Sequence, residues 1–243
     1  MNSPPGRIIF ITGTDTGSGK TLLTALLLVH LRGSGLDVLA MKPFCSGDKA
    51  DIALLQSLQP GEISDDLMNP FFFRGPVAPL VAARKQNRII SFQAALQAVE
   101  EVSIRCDYLL VEGIGGVLVP LGPGYNVLDL IHRLGCVVIV AARNKIGVIN
   151  QSLLTMRALN QAGLRQVGLV LMGTEIDDAS STSNHLVLRE LLAPIEVVPI
   201  PFLGLQVPGL GCAAERSCQK LKNRLRVLDT LIFSSCSLDR KPS

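Results

Sequence analysis

Apolar residues along this chain gather into short continuous runs, separated by longer stretches in which they recur every three or four positions. The runs at 7–12, 38–42, 108–112, 136–142, 167–172 and 196–200 are rich in Ile, Val and Leu and are predicted to be strands. Consecutive rather than alternate positions are apolar, the pattern of strands covered on both faces. Helical spacing marks 20–32, 51–57, 91–105, 127–134, 147–162 and 183–192. Strand and helix in this succession predict an α/β fold: a parallel sheet covered by helices on both faces, with ligands at the carboxyl ends of the strands.

One domain is expected from 243 residues. Residues 1–205 hold the α/β pattern. Residues 206–243 decay into Gly and Pro, then supply a basic helix at 213–233 and a polar tail from Ser234, expected to be disordered, as parts of the same domain.

The loop after the first run narrows the chemistry. It reads Gly13, Thr14, Asp15, Thr16, Gly17, Ser18, Gly19, Lys20, Thr21, between a strand and a leucine-rich helix. Backbone N–H groups of such a loop point at an anion, Lys20 can reach β- and γ-phosphates, and the Thr21 hydroxyl can sit on Mg²⁺. A turn that merely joins strand to helix would explain Gly17 and Gly19 but not Lys20 and Thr21. The fold is therefore expected to be of the P-loop NTPase type and the ligand a nucleoside triphosphate. The spacing, Gly-x5-Gly-Lys-Thr, is one residue longer than usual.

Composition excludes several alternatives. A net charge of +3, with no basic run longer than Arg84-Lys85, gives no footprint for nucleic acid. No uncharged apolar stretch of membrane-spanning length occurs, and the first strand starts too early for a signal peptide, so a cytoplasmic protein without a membrane partner is expected. The six cysteines are scattered, without metal or disulfide spacing, and are expected to be reduced.

Two strand ends carry further polar groups. Tyr108-Leu-Leu-Val delivers Glu112, followed by Gly113, Gly115 and Gly116, where a phosphate-bound Mg²⁺ wants an oxygen ligand and glycines allow close backbone approach. Glu112 as a solvated strand-end acid is the plainer alternative. The second strand ends in Lys42, placed to stabilise a transferring phosphoryl group, although a lone strand-end lysine is more often a surface group. Asp51 opens a helix, where it would cap N–H groups or face the metal. Cys45 is read as a small spacer.

Taken together, the long-spaced loop, Lys42-Pro43 with Ser46-Gly47, Asp51, Asn69-Pro70 with Pro76 and Pro79, Val111-Glu-Gly-Ile-Gly-Gly116 and Gly147-Val-Ile-Asn150 resemble, in order and spacing, the dethiobiotin synthetase family. The resemblance runs over about 8–203. It implies an ATP-dependent ligase of biotin biosynthesis that joins CO₂ to one amine of 7,8-diaminononanoate, phosphorylates the carbamate with MgATP, and lets the second amine displace phosphate. It further implies that Lys20 neutralises the phosphates, that Lys42 holds the carbamate, and that Thr21, Asp51 and Glu112 share Mg²⁺. Thr16 and Ser46 would line the diamine site, and Met172 and Pro201 would lie at the nucleotide. Gly147, Val148, Ile149 and Asn150 would grip the substrate carboxylate from the second subunit of a homodimer, as a helix N-terminus favours an anion.

Four positions depart from the family pattern: Ser18 for an apolar residue, Leu80 and Gln151 for histidines, and Met172 for an asparagine that reads the adenine edge. Methionine packs on a base but offers no bidentate hydrogen bonds, so loose selectivity among ATP, CTP and GTP is expected. Partitioning ATPases of the ParA and MinD kind carry a lysine five residues before the loop lysine, where this chain has Asp15. A cobyrinic-acid-amidating synthetase would continue into a glutamine-hydrolysing domain. A regulatory domain that had lost catalysis would have little reason to keep Lys20, Thr21, Lys42, Asp51 and Glu112 together.

Overall fold

A computed structural model describes residues 6–176, 178–204 and 210–233, with side chains in the last segment from 216 onward. The six predicted strands form one parallel sheet: β1 (Arg7–Gly13), β2 (Val38–Met41), β5 (Tyr108–Gly116), β8 (Val137–Arg143), β9 (Val167–Met172) and β10 (Val197–Ile200), in the order β10-β9-β8-β1-β5-β2. Between them run α1 (Lys20–Arg32), α2 (Ala50–Ser57), α3 (Asp65–Met68), α4 (Pro79–Lys85), α5 (Phe92–Ser103), α6 (Val127–Leu134), α7 (Val148–Gln161) and α8 (Ser181–Leu192), and α9 (Leu210–Phe233) follows β10. Four short strands stand apart from the main sheet: β3 (Phe44–Ser46) beside β4 (Phe71–Phe73), and β6 (Pro120–Gly122) beside β7 (Tyr125–Asn126).

The strands are buried along nearly their whole length, as expected where helices lie above and below. α1 packs with α9, whereas α5 meets α6 and α7 meets α8, as right-handed crossovers on opposite faces require. The chain leaves β1 toward β2 and leaves β5 the other way, over β1, to β8. The crevice where these crossovers part lies at the carboxyl ends of β1 and β5.

Local chemistry sets the helix ends. The Ser91 hydroxyl accepts the Ala94 N–H and starts α5, and α6 opens on a reciprocal capping box between Asn126 and Asp129. Gly135, in the left-handed region, closes α6. The basic helix expected at 213–233 is α9. Its apolar stripe Cys218, Leu221, Leu225, Leu228 and Ile232 is buried, and Asp229 bonds the buried His30 of α1 at 2.9 Å. The tail from Ser234 lies outside the described residues.

β5 is longer than expected, because Gly113, Gly115 and Gly116 continue the strand instead of leaving it. α2 matches the helix expected at 51–57, whereas β3, α3, β4 and α4, and the hairpin after β5, were not predicted: these elements are two to seven residues long and take their shape from tertiary neighbours.

β2 is an edge strand, and side chains close its open side. The Gln59 amide accepts the Ala40 N–H at 2.9 Å and donates to the Ala40 carbonyl at 2.7 Å, as a further strand would. Arg32 donates to the Val38 carbonyl while its fork clasps Glu62. Asn69 donates to the Lys42 carbonyl at 2.6 Å, and the Lys42 N–H reaches the Met68 carbonyl at 3.0 Å. Gln59 is 1% exposed, so Gln59→Ala leaves both polar groups of Ala40 shielded and unpaired. It should lower unfolding stability by about 2–3 kcal/mol, read from the urea midpoint. An unchanged midpoint would show that the edge does not need this amide.

Candidate active site

The loop between β1 and α1 is shaped by its own hydrogen bonds. Thr14 N–H donates to the Ala141 carbonyl of β8 at 3.0 Å, Thr16 N–H donates to the Asp15 carboxylate at 2.7 Å, and the Lys20 ammonium folds back onto the Asp15 carbonyl at 3.1 Å. Gly17 (φ 71°) and Gly19 (φ 93°) take left-handed conformations that other residues adopt only under strain. A Cβ on Gly19 would also lie 2.9 Å from Met172 Cγ. α1 begins with no side-chain cap and no acidic residue in its first turn, which leaves its N-terminal N–H groups for an anion. Lys20 is only 7% exposed, and burial pulls its ammonium down to about 8, Glu112 and Asp51 opposing that fall and Lys42 adding to it. A phosphate alongside favours the charged form again.

Glu112, fully buried, faces the loop from β5, where Ile11 of β1 is its register partner. Its Oε1 accepts the Thr21 hydroxyl at 2.8 Å and the Lys42 ammonium at 2.6 Å. Lys42 also bonds the Asp51 carboxylate. Burial works against the Lys42 charge, but Glu112 and Asp51 outweigh it and raise the ammonium above its ordinary value. Burial would raise the Asp51 carboxyl, and Lys42 with the Thr21 hydroxyl holds it lower than usual instead. Asp51 does not cap α2: its side chain turns to Lys42, and Asp48 accepts the Ala50 N–H at 2.9 Å.

Thr21, Asp51 and Glu112 thus present two carboxylates and a hydroxyl around one point, and Glu112 Oε2 is shielded without a hydrogen-bond partner. An all-oxygen set of this size fits Mg²⁺, which takes one or two carboxylates and fills its remaining positions with water and phosphate oxygens. No cluster of three His, Cys, Asp or Glu residues occurs among the described residues, and a cation of this kind does not need one.

A cavity of about 630 Å³ joins these groups. Thr16, Gly17, Gly19, Lys20 and Thr21 line one side and Lys42, Ser46 and Asp51 the other, with Glu112 and Gly115 below them. Ser46 Oγ is shielded and unpartnered. Cys45 is 3% exposed, donates to the Asp48 carbonyl, and has its thiol pushed up by burial, in keeping with a spacer. Gly113 lies against Phe10, and a Cβ on Gly116 would stand 3.2 Å from the Thr14 carbonyl, so these two glycines bring β5 close to β1 and its loop. Ile114 and Val119 form an apolar wall that sequence reasoning did not assign. Ile114 sits on the unforeseen extension of β5 and Val119 on the turn that follows it.

Of the predicted site residues, Gly13, Thr14, Asp15, Ser18, Gly113 and Gly116 belong to the loop and strand end without lining the cavity, and three further groups lie apart from it. Met172 is buried, its side chain packed behind Gly19, and Pro201 is exposed after β10. Gly147 (φ 91°) heads α7 with no side-chain cap, next to buried Val148, half-buried Ile149 and exposed Asn150. Ile146 and Leu154 on the same stretch are 76% and 61% exposed. Asp178 accepts the Ile146 N–H at 2.7 Å and so fixes the approach to α7.

Known proteins resemble this chain in sequence and in fold. The AAA domain family matches residues 7–203. The ATP-dependent dethiobiotin synthetase BioD of Akkermansia muciniphila is 36% identical over 191 residues, 78% of this chain and 90% of that protein. The protein of the same name from Bacillus licheniformis is 38% identical, covering 68% and 72%, and that from Anaeromyxobacter sp. (strain Fw109-5) is 40% identical, covering 73% and 82%. Among solved structures, the MinD cell division protein of Aquifex aeolicus superposes with a TM-score of 0.58 at 17% identity, covering 92% of this chain and 97% of that one. MinD complexed with Mg-ADP from Pyrococcus horikoshii gives 0.56, also at 17% identity, covering 96% and 97%. At that identity the structures establish a P-loop NTPase fold, and the closer sequences establish the rest: this chain belongs to the ATP-dependent dethiobiotin synthetase family.

Proposed function

We propose that this chain closes the cyclic urea of dethiobiotin. CO₂ joins one amine of 7,8-diaminononanoate as a carbamate, the carbamate oxygen takes the γ-phosphoryl group of ATP, and the second amine attacks the carbamoyl carbon and expels phosphate. The observation that carries the reading is a single cavity holding Lys20 of the phosphate loop beside Lys42, Glu112 and Asp51.

The difficulty of the reaction is electrostatic, since a carbamate and a triphosphate are both anions and must meet in line. The loop N–H groups and Lys20 hold the phosphates, and Lys42, its ammonium kept charged by its carboxylates, draws the carbamate toward the terminal phosphorus. Mg²⁺ held by Thr21, Asp51 and Glu112 would neutralise charge on the phosphates. Thr16 and Ser46 offer hydroxyls to the diamine and carbamate, and the Ile114 and Val119 wall suits an aliphatic chain.

The substrate carboxylate falls to Gly147, Val148, Ile149 and Asn150 of a second copy. None of these four lines the cavity of its own chain, and the exposed Ile146 and Leu154 beside them suit a subunit contact. A homodimer with shared sites follows. Residues 1–205 and 206–243 act as one domain, supported by the seating of α9 on α1 through Asp229 and His30. No helix among the described residues is long and apolar enough to cross a membrane, which suits an enzyme of small cytoplasmic metabolites. Met172, which fills the space behind Gly19 and offers no amide, favours a base site that accepts ATP, CTP and GTP.

Purified protein with the diamine, bicarbonate and Mg²⁺ should release phosphate and yield the cyclic urea by mass detection, and release that ignores the diamine would refute the reaction. Lys20→Ala should reduce turnover by on the order of 10³ or more, and near-normal turnover would remove Lys20 from the mechanism. Asn150→Ala should raise the diamine KM with little change in kcat, whereas an effect confined to ATP would contradict the cross-subunit grip. With CTP and GTP in place of ATP, kcat/KM should stay within about tenfold; activity confined to ATP would contradict the role given to Met172.

A further inference from the structure

We infer that Lys42 and the divalent cation compete for one set of oxygens, so that the metal enters with a triphosphate and not by itself. The inference rests on the reading of Thr21, Asp51 and Glu112 as the metal site, and concerns how that site is filled.

The geometry points to it directly. The Lys42 ammonium is bonded to Glu112 Oε1 at 2.6 Å and to the Asp51 carboxylate, and Thr21 donates to the same Glu112 oxygen. These are the oxygens that a hard cation would take. Glu112 Oε2 has no hydrogen-bond partner, but it belongs to the same carboxylate, and a dication there would stand close enough to the ammonium for repulsion between a single and a double positive charge to be strong beside the shielded Glu112 and Lys42. A fully buried carboxylate also resists losing its counter-charge, so Glu112 keeps Lys42 until another cation replaces it. Lys20 does not substitute, since its ammonium is bonded to the Asp15 carbonyl on the loop.

Only the side chain of Lys42 is free to move. Its N–H and carbonyl are tied to Met68 and Asn69, while its ammonium borders the cavity shared with the phosphate loop. A triphosphate in the loop brings anionic oxygens into that cavity. Lys42 can then trade Glu112 and Asp51 for phosphate without becoming an unpaired buried charge, and the carboxylates become available to the incoming metal. The same swing delivers the ammonium to where phosphoryl transfer needs it. Metal loading and the arming of Lys42 are, on this account, one exchange of partners.

The test measures Mn²⁺ binding to the full chain by electron paramagnetic resonance without nucleotide. Wild type should bind Mn²⁺ weakly, while Lys42→Met, which keeps the side-chain length and removes the charge, should bind one Mn²⁺ per chain at least about tenfold more tightly. Adding Glu112→Gln to Lys42→Met should abolish the gain. In parallel, Mg²⁺ alone should leave the wild-type Tm unchanged and raise that of Lys42→Met, and Mg²⁺ with a non-hydrolysable ATP analogue should raise the wild-type Tm. Equal Mn²⁺ affinity in wild type and a folded Lys42→Met would overturn the inference. So would tight, stoichiometric Mn²⁺ binding to wild type alone, a result that stands even if the variant fails to fold. Absence of cyclic urea formation would refute the proposed reaction and leave the Mn²⁺ outcome intact.

Discussion

A fully buried carboxylate at the end of a central strand is the constraint around which this molecule is arranged. Glu112 has no water to solvate it, so its charge is sustained by Lys42 and Thr21, each arriving from a different crossover. Those partners fix the distance between the start of α1 and the end of β2. They also bring Asp51 of α2 to the same point through Lys42. The charged cluster is therefore a structural junction that also lines the cavity beside the phosphate loop.

Keeping Lys42 there demands more of the fold than of the site. It stands just past an edge strand, where unpaired backbone groups would invite slippage or a foreign strand. Gln59, Arg32 and Asn69 take up those groups, and none of them lines the cavity. On the opposite edge, His185 and Arg224 meet the outward carbonyls of Val197 and Pro199. With the edges closed, the crevice between β1 and β5 keeps the N-terminal N–H groups of α1 available to a ligand.

Family membership and geometry inform different parts of the picture. The AAA domain match runs over 7–203, which holds the sheet and its loops, and the solved structures, at 17% identity, speak for the fold alone. Met172, one of the positions read from the sequence as a departure from the family pattern, acts in this fold through packing. Met172 is buried and fills the space behind Gly19, where a Cβ would collide with it. A change there alters the support of the phosphate loop as well as the contacts open to a base.

By itself the sequence determined the sheet, the phosphate loop and the family. Five- to seven-residue apolar runs and a glycine loop ending in Lys20-Thr21 are local patterns, imposed by burial on both faces and by backbone sterics. Tertiary structure decided everything that depends on distance. Only in three dimensions does Asp51 leave its helix end for Lys42, does Gln59 become a surrogate strand, and do Gly113 and Gly116 continue β5 against β1. β3, α3, β4 and α4 escaped sequence reasoning for the same reason, since elements of three to seven residues are too short to show a period of their own. Local pattern specifies what a segment can be, but the partner of a buried charge or an open strand edge is chosen by whichever distant group the fold brings within hydrogen-bond reach.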